Sequence, residues 1–594
     1  MVWQQEHRYS YENFIERHTH IMYLFAVAFL FLAVRLMYLQ VLRGNYYQRV
    51  SEQQRTQVIQ ERAPRGVIFD RWGKPLVNNR TAFVALFYPF IQEKAPPQQD
   101  LLWKVGTILQ VPGLSAKIVN GWRTGQIVRL AENLSRTEMF RLQELRLVFT
   151  GISVVKEARR DYIDPYVNSH LLGYLGEINK KELALWREEG YRMGDWVGRR
   201  GIEKIYDSTL RGVDGGWELE VDALGRQTRV VRHVRSSAGN SITTTVDSEL
   251  QRVAYDALQK TPTRRGAVVG IDPRTGAVRI LVSSPGFDPG ASLSPEFSAY
   301  LKDPSFPLFN RTAQALYPPG SIFKIVTMVA GLNDSRIEKE KQYSCNGAFQ
   351  FGKNSFKCWE KKGHGRLALR EAFAHSCNVY FYTIGLKIGA KPLERYARMF
   401  RLDKKTEIED VQSEKTGLIP NEEWKREKLK EAWLPGDTIN MAIGQGPLWV
   451  SPLQVAVMGC AIANRGDMYR PYIVNSIQSP TGEVLFERAP EKLGTADLKA
   501  DTWVFLRDAM EAVVSEGTGG WCKFKDLPVA GKSGTAENPL GDSHGWFISY
   551  APADNPELVL AVVVENGGGG GGVAAPIARA VYKKAFPERT KSDW

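Results

Sequence analysis

A serine and a lysine three positions apart, set just ahead of an apolar stretch, are the first chemical signal in the chain. Pro318-Pro319-Gly320-Ser321-Ile322-Phe323-Lys324 runs into Ile325-Val326-Thr327-Met328-Val329-Ala330, a helix-compatible run. Prolines just before a helix place Ser321 in its first turn. At i and i+3 the hydroxyl and the amine share one helix face. A lysine held in a partly desolvated cleft loses its proton and serves as base for the serine. The pattern is short, and Ser153-Val154-Val155-Lys156 repeats it. That second copy lies in strand-like sequence, where i and i+3 face opposite ways, and it is set aside.

Two further motifs add specificity. Ser376-Cys377-Asn378 follows in sequence that reads as helical, and Lys532-Ser533-Gly534-Thr535 reads as strand, with Gly545-Trp546-Phe547-Ile548 soon after. Lys415-Thr416-Gly417 spells the third motif as well, but it sits in loop sequence with no strand before it. Strand context favours Lys532.

The cysteines raise a metal question. Cys345, Cys358 and Cys377, with His364 among them, crowd one short segment beside the second motif. Three cysteines and a histidine make a chemically suitable tetrahedral zinc set, although the spacing is not that of a standard finger. The alternative is a Cys345–Cys358 disulfide in an oxidising compartment, with Cys377 buried. On a helix turn Cys377 would point away from the face shared by Ser376 and Asn378, so a zinc there would brace the second motif from behind. Cys460 reads as a core thiol, and Cys522 marks no site.

These motifs need a large scaffold to position them. The chain has 594 residues, 43% of them apolar and 24% charged, with a formal net charge of +13. That length calls for two or more domains, and the composition excludes a mostly disordered, collagenous or many-span chain. The positive charge suits an anionic neighbourhood. No zinc-finger spacing, RNP-type strand or Walker loop is present, so nucleic acid is not expected as a partner. Ile21 to Val34 is unbroken apolar sequence and resumes as Leu36 to Leu39, enough for one membrane span across 21–39, with Arg35 snorkelling. A cleaved signal peptide competes through Ala26-Val27-Ala28, but that triplet lies inside the run and the preceding segment is not positive. Arg35, Arg43, Arg49 and Arg55 behind the run argue by charge for a cytoplasmic C-terminal side, although large domains translocate largely regardless of charge.

After the span, 40–240 is basic, rich in strands and turns, and poor in catalytic candidates; Arg235 to Asn240 reads as a hinge. Region 241–587 repeats an α+β pattern. Gly266–Ile271 and Ala277–Val282 form a hairpin, Val529–Gly534, Gly545–Tyr550 and Leu558–Val564 three more strands, and a helix begins near Pro576. Strands at both ends of the region predict one antiparallel sheet whose first and last strands adjoin. Gly567 to Gly572 reads as a mobile loop beside it.

Ser-x-x-Lys, Ser-x-Asn and Lys-Ser/Thr-Gly in this order resemble the penicillin-binding protein and serine β-lactamase superfamily. Arg65 to Leu76 and Gly198 to Gly212 resemble pedestal motifs of the class B, monofunctional members; Gly444-Gln445-Gly446 and Ser451-Pro452-Leu453-Gln454 resemble segments between their second and third motifs. With the anchor, the chain is most similar to the elongation (penicillin-binding protein 2) type. The resemblance implies a cytoplasmic tail (1–20), a transmembrane anchor (21–39), a non-catalytic, partner-binding pedestal (40–240), a transpeptidase domain (241–587) and a short tail (588–594). It implies peptidoglycan D,D-transpeptidation during lateral wall elongation. Ser321 attacks the bond between the terminal D-alanines of a stem peptide, Lys324 takes its proton, and Ser376 and Lys532 relay one to the leaving amine. Asn378 holds the substrate amide, and Lys532, Ser533 and Thr535, around Gly534, bind the terminal carboxylate. Backbone N–H groups of Ser321 and Thr535 make the oxyanion hole.

It implies further that β-lactams acylate Ser321, that no cofactor serves the chemistry, and that Cys345, Cys358, His364 and Cys377 hold a structural zinc, as some elongation-type relatives hold a metal here. Expected partners are the stem peptides, the membrane and, within the elongation complex, a polymerising SEDS-type glycosyltransferase. The catalytic domain would face outward from the inner membrane. A septal transpeptidase of the same class, a non-catalytic β-lactam sensor and a β-lactamase are the competing readings.

Overall fold

The computed structural model describes residues 2–44, 46, 56–89, 99–124, 127–149, 151–221, 227–538 and 541–593. Arg49 and Arg55, from the arginine group behind the apolar run, lie outside them, as does Trp594. Helix α1 (Val2–Met37) passes into a π-turn at Tyr38–Leu42. Within this stretch His18–Leu42 is long and apolar enough to cross a membrane, with mean hydropathy 2.1. Its Phe25, Phe29 and Phe31 are largely exposed. Each such side chain left in water forfeits about 2 kcal/mol, a cost that lipid removes.

The chain forms two compact units: Met1–Ala63 with Thr81–Ala158 and Val213–Ser237, and Pro64–Arg80 with Arg159–Gly212 and Ala238–Trp594. In the first, Thr56–Glu61, Gly215–Val221 and Gln227–Val234 make an antiparallel sheet. Helix Gln99–Leu109 buries Leu101, Leu102, Val105 and Leu109, one face at helical spacing, in a core with Ile118, Leu142, Phe149 and Ile152.

The second unit is built on a five-stranded antiparallel sheet. Asp247 caps helix α2 (Ser248–Gln259) by accepting from the N–H groups of Glu249 and Leu250. Strands β1 (Gly266–Ile271) and β2 (Val278–Ser284) form the expected hairpin. Around the catalytic motifs come α3 (Lys324–Asn333), α4 (Leu369–Ala374), α5 (Asn378–Ile388), α6 (Pro452–Ala463) and α7 (Ala500–Ser515). Strands β3 (Ala530–Asn538), β4 (Gly541–Ala551) and β5 (Leu558–Val564), then α8 (Ala575–Ala585), complete the unit. The strand order is β2-β1-β5-β4-β3, so the first strand of the region does lie beside the last, and β3 is an edge.

Successive side chains of a strand point to opposite faces, which divides each strand between two cores. Ala267, Val269, Val559, Ala561 and Val563 join one core, with α3 and α6 residues such as Val326 and Val455. Val268, Leu560, Val562 and Val564 join the other, with Ala254 of α2 and Ala578 of α8. Helices cover both faces, so β5 is apolar at every position rather than alternating. Helix α6 is apolar all round and buried over nearly its whole length, as such a helix must be.

Segments 64–80 and 159–212 belong to this second unit: Ile68 pairs with Ile242, Ser248 Oγ donates to Asp70 Oδ2 at 2.6 Å and Tyr206 OH donates to Asp410 Oδ1 at 2.6 Å. An ion cluster ties the two segments to each other. Arg65 pairs with Glu203 at 3.0 Å and with Asp207 at 2.9 Å, and Arg160 pairs with Glu203 at 2.6 Å. Glu203 is fully buried, so losing both arginines would leave a buried charge without compensation. Gly66 packs so closely that a Cβ there would stand 1.7 Å from the Asn240 carbonyl oxygen.

Candidate active site

Ser321 lies in a 3-10 turn, Gly320–Phe323, that leads directly into α3, whose first residue is Lys324. The turn is clamped from two sides through glycine. Gly320 has φ +53°, and a Cβ on it would lie 2.5 Å from the Thr535 carbonyl oxygen. The Gly320 N–H donates to Gly444 O at 3.0 Å, and a Cβ on Gly444 would meet Gly320 O at 2.1 Å.

Ser376 and Cys377 are not helical. The expected helix is broken by a tight reversal between α4 and α5: the Cys377 N–H donates to Ala372 O at 2.9 Å and the Ser376 N–H to Phe373 O at 3.1 Å. These are the two bonds of a Schellman cap, with Ser376 at the left-handed position usually given to glycine. Its φ is +54°, a conformation that costs a non-glycine residue about 1–2 kcal/mol. The turn fixes three directions at once. Ser376 Oγ faces the amines, Asn378 opens α5 beside them, and Cys377 is fully buried behind.

The second motif bridges the other two. Lys324 Nζ donates to Asn378 Oδ1 at 2.6 Å, to Ser376 O at 2.8 Å and to Ser376 Oγ at 3.2 Å. Lys532 Nζ donates to Ser376 Oγ at 3.0 Å and to Ser533 O at 2.8 Å. One hydroxyl therefore stands between two fully buried amines. Among the described residues, no carboxylate pairs with either amine. Burial pushes the Lys324 ammonium down to about 7, with the Cys377 and Cys358 sulfurs opposing the shift. Burial, and then the charge of Lys324, pushes Lys532 well below its usual value. A neutral amine beside a serine turn is the equipment of a general base.

Ser321, Ser376, Asn378, Ser533 and Thr535 line a single cleft of about 420 Å³. Gly534, between the last two, is buried, and a Cβ there would crowd Ile322 Cγ1 at 3.0 Å and Pro319 O at 3.1 Å. Ser533 Oγ shares a 2.6 Å hydrogen bond with Thr518 Oγ1. Gly569–Gly572 form one wall. Read as a loop from sequence, this run instead contains a helical turn, Gly570–Val573. A Cβ on Gly570 would stand 2.1 Å from Trp546 O and 2.2 Å from Gly534 O, which is why only glycine serves there. The two decoys stay apart from this geometry: Ser153 and Lys156 lie on strand Ile152–Tyr162, and Lys415–Gly417 has no regular structure.

Trp359, Gln445, Thr518, Trp521 and Glu537 also line the cleft. None was singled out as a site residue from sequence. Gln445 lies within Gly444-Gln445-Gly446, and Trp359 follows Cys358, but no spacing marks the other three.

The four candidate metal ligands do converge. Their donor atoms lie within 4.8 Å of one another, and His364 Nδ1 stands 3.6 Å from both Cys345 Sγ and Cys358 Sγ. All five cysteines are free, including Cys345 and Cys358. Tetrahedral zinc, with Zn–S about 2.3 Å and Zn–N about 2.0–2.1 Å, separates nitrogen and sulfur ligands by about 3.6 Å. The two His364–Cys separations match that value, and the four donors are of the kinds that zinc takes. Trp359 sits on its rim, its Nε1 donating to Ser376 O at 3.2 Å.

The family model described as the penicillin-binding protein transpeptidase domain matches residues 266–583, and that of the penicillin-binding protein dimerisation domain matches 60–244. The peptidoglycan D,D-transpeptidase MrdA of Acinetobacter baumannii is 31% identical over 90% of this chain and 82% of its own length. The penicillin-binding protein PBP2 of Helicobacter pylori, solved in complex with MreC, superimposes with a TM-score of 0.74 at 26% identity, covering 90% of this chain and 99% of that one. A chain from a peptidoglycan synthase complex that coordinates polymerization and crosslinking gives 0.71 at 29% identity, over 96% and 98%. Two matched domain models and a relative aligned over most of both lengths lead to one conclusion: the chain belongs to the class B penicillin-binding proteins, the serine-type peptidoglycan D,D-transpeptidases, in their PBP2 branch.

Proposed function

We propose that Ser321 is the nucleophile of this transpeptidase and that Lys324 is its base. The observation that carries the assignment is the single Ser376 hydroxyl bonded to two buried amines, at 3.2 and 3.0 Å. Ser321 Oγ attacks the carbonyl carbon between the terminal D-alanines of a stem peptide while neutral Lys324 accepts its proton. The oxyanion that forms is met by the backbone N–H groups of Ser321 and Thr535, a stabilisation of about 3–4 kcal/mol per donor in other acyl transferases. Collapse of this intermediate expels D-alanine, whose nitrogen takes a proton passed through Ser376 and Lys532. Asn378 holds the substrate amide, and Lys532, Ser533 and Thr535 hold the terminal carboxylate around Gly534. An amine of a neighbouring stem then attacks the Ser321 ester and releases the cross-link. A β-lactam enters the same first step and stays on Ser321.

Cys345, Cys358, His364 and Cys377 fit a structural zinc, which supplies no chemistry and fixes the second motif from behind. The anchor at 21–39 holds the chain in the inner membrane with residues 1–20 in the cytoplasm. Region 40–240 is the partner-binding pedestal and 241–587 the transpeptidase domain, facing outward. The complexes that relatives form, with MreC and within a peptidoglycan synthase, support a place in the elongation machinery beside a SEDS-type glycosyltransferase.

Labelling with a fluorescent penicillin tests the core of this reading. The wild type is expected to carry one label per chain, and Ser321→Ala none. Equal labelling of the two would remove Ser321 from the mechanism.

A further inference from the structure

The catalytic cleft has one charged side chain among its lining residues, and it is acidic. Glu537 is exposed at the end of β3, two positions beyond Thr535. Ser533, Thr535 and Glu537 alternate along the strand and all line the cleft, as residues on one face of a strand do. Lys324 and Lys532 are fully buried and are not among the lining residues. The indoles of Trp359 and Trp521, 55% and 68% exposed, also line the cleft. An acidic group with two aromatic faces is a cation-binding environment.

The strand sets what part of a peptide reaches it. β3 is the edge of its sheet, and an extended peptide can add to such an edge by main-chain hydrogen bonds. With a terminal carboxylate held at Ser533 and Thr535, the chain has room in one direction only. Ala530 and Gly531 do not line the cleft, whereas Glu537, Ser543 and Gly569 do. At about 3.3 Å per residue, a peptide running that way brings the residue two places before its C-terminus level with Glu537.

Building on the transpeptidase reading above, we propose that Glu537 is the subsite for a free ammonium on the donor peptide, carried by the residue two positions before its C-terminus. The site thereby selects cationic stem peptides over those whose side-chain amine is blocked.

The test uses the full chain in detergent and two tripeptides, Nα-acetyl-L-lysyl-D-alanyl-D-alanine and its Nε-acetylated form. Each competes against fluorescent penicillin labelling of the wild type, Glu537→Gln and Glu537→Asp. The free-amine peptide is expected to compete about fivefold better with the wild type, the upper range for a solvent-accessible ion pair. This preference should vanish in Glu537→Gln, survive in Glu537→Asp, and shrink in 1 M NaCl, where the screening length is about 3 Å. An unchanged preference in Glu537→Gln, or no competition by either peptide, overturns the subsite. Failure of penicillin to label the wild type at all would instead overturn the transpeptidase reading.

Discussion

The Lys324 amine is asked to do something a lysine in water does not do, which is to be neutral near physiological pH. Its burial against Ser376 and Asn378 brings its titration to about 7. The sign of the consequence is fixed: the base works only unprotonated, so acylation should rise with pH through about 7 and then level off. A group titrating at 7 is about thirtyfold less deprotonated at pH 5.5 than on the plateau. Stopped-flow acylation by penicillin across pH 5.5–8.5 should show that rise, and a flat profile would remove Lys324 as base. The identity of this residue was legible in sequence because Ser321 and Lys324 lie within one turn. Ser376 and Lys532, 52 and 208 residues further along the chain, were legible as motifs, but the bonds that bring both amines onto the one Ser376 hydroxyl were not. Nothing local in sequence distinguishes Trp521 or Glu537 from ordinary exposed residues, because their role comes only from the cleft they face.

The element that depends most on tertiary context is the α4–α5 reversal. The sequence around Ser376 carries helix-compatible residues on both sides and no glycine at the left-handed position, so its pattern reads as helix. The structure ends α4 with the cap bonds from Ser376 and Cys377, and the cluster of Cys345, Cys358 and His364 closes over the buried side of the turn. The reading that Cys377 faces away from the cleft stands, but a turn rather than a helix directs it there. A metal on this cluster would hold Ser376 in its strained position. Cys377→Ser should therefore lower both the melting temperature and the rate of penicillin acylation, with Ser321 intact. A displacement near 1 Å at a catalytic group can cost about a hundredfold in rate. Elemental analysis of protein purified without added zinc should find one equivalent per chain. Metal-free protein with normal acylation would refute the brace. By contrast β5 was readable from sequence, because a strand covered on both faces must be continuously apolar and β5 shows this without interruption.

At the scale of the whole chain, charge and chemistry pull the topology in opposite directions. Arg35 and Arg43 follow or end the apolar run, and the bias of positive residues toward the cytoplasm would place everything after them inside. The acyl acceptor chemistry proposed for the cleft has its polymer outside. The deciding physical point is size: the bias governs short loops, whereas long folded regions translocate largely regardless of charge. More than five hundred residues follow the span, so chemistry should prevail. The division of these residues into two units could not be read as a single cut in the sequence. Segments 64–80 and 159–212 join the second unit through contacts such as Ile68 with Ile242, Ser248 with Asp70 and Tyr206 with Asp410, and pairings between residues so far apart along the chain leave no local pattern. Fusions at the C-terminus test the orientation without disturbing either unit. An alkaline phosphatase fusion, active only outside the cytoplasm, should be active in membrane fractions, and a green fluorescent protein fusion exported unfolded should be dark. Fluorescent green and inactive phosphatase fusions would place the catalytic cleft in the cytoplasm, away from its polymer, and the transpeptidase assignment would have to be abandoned with the topology.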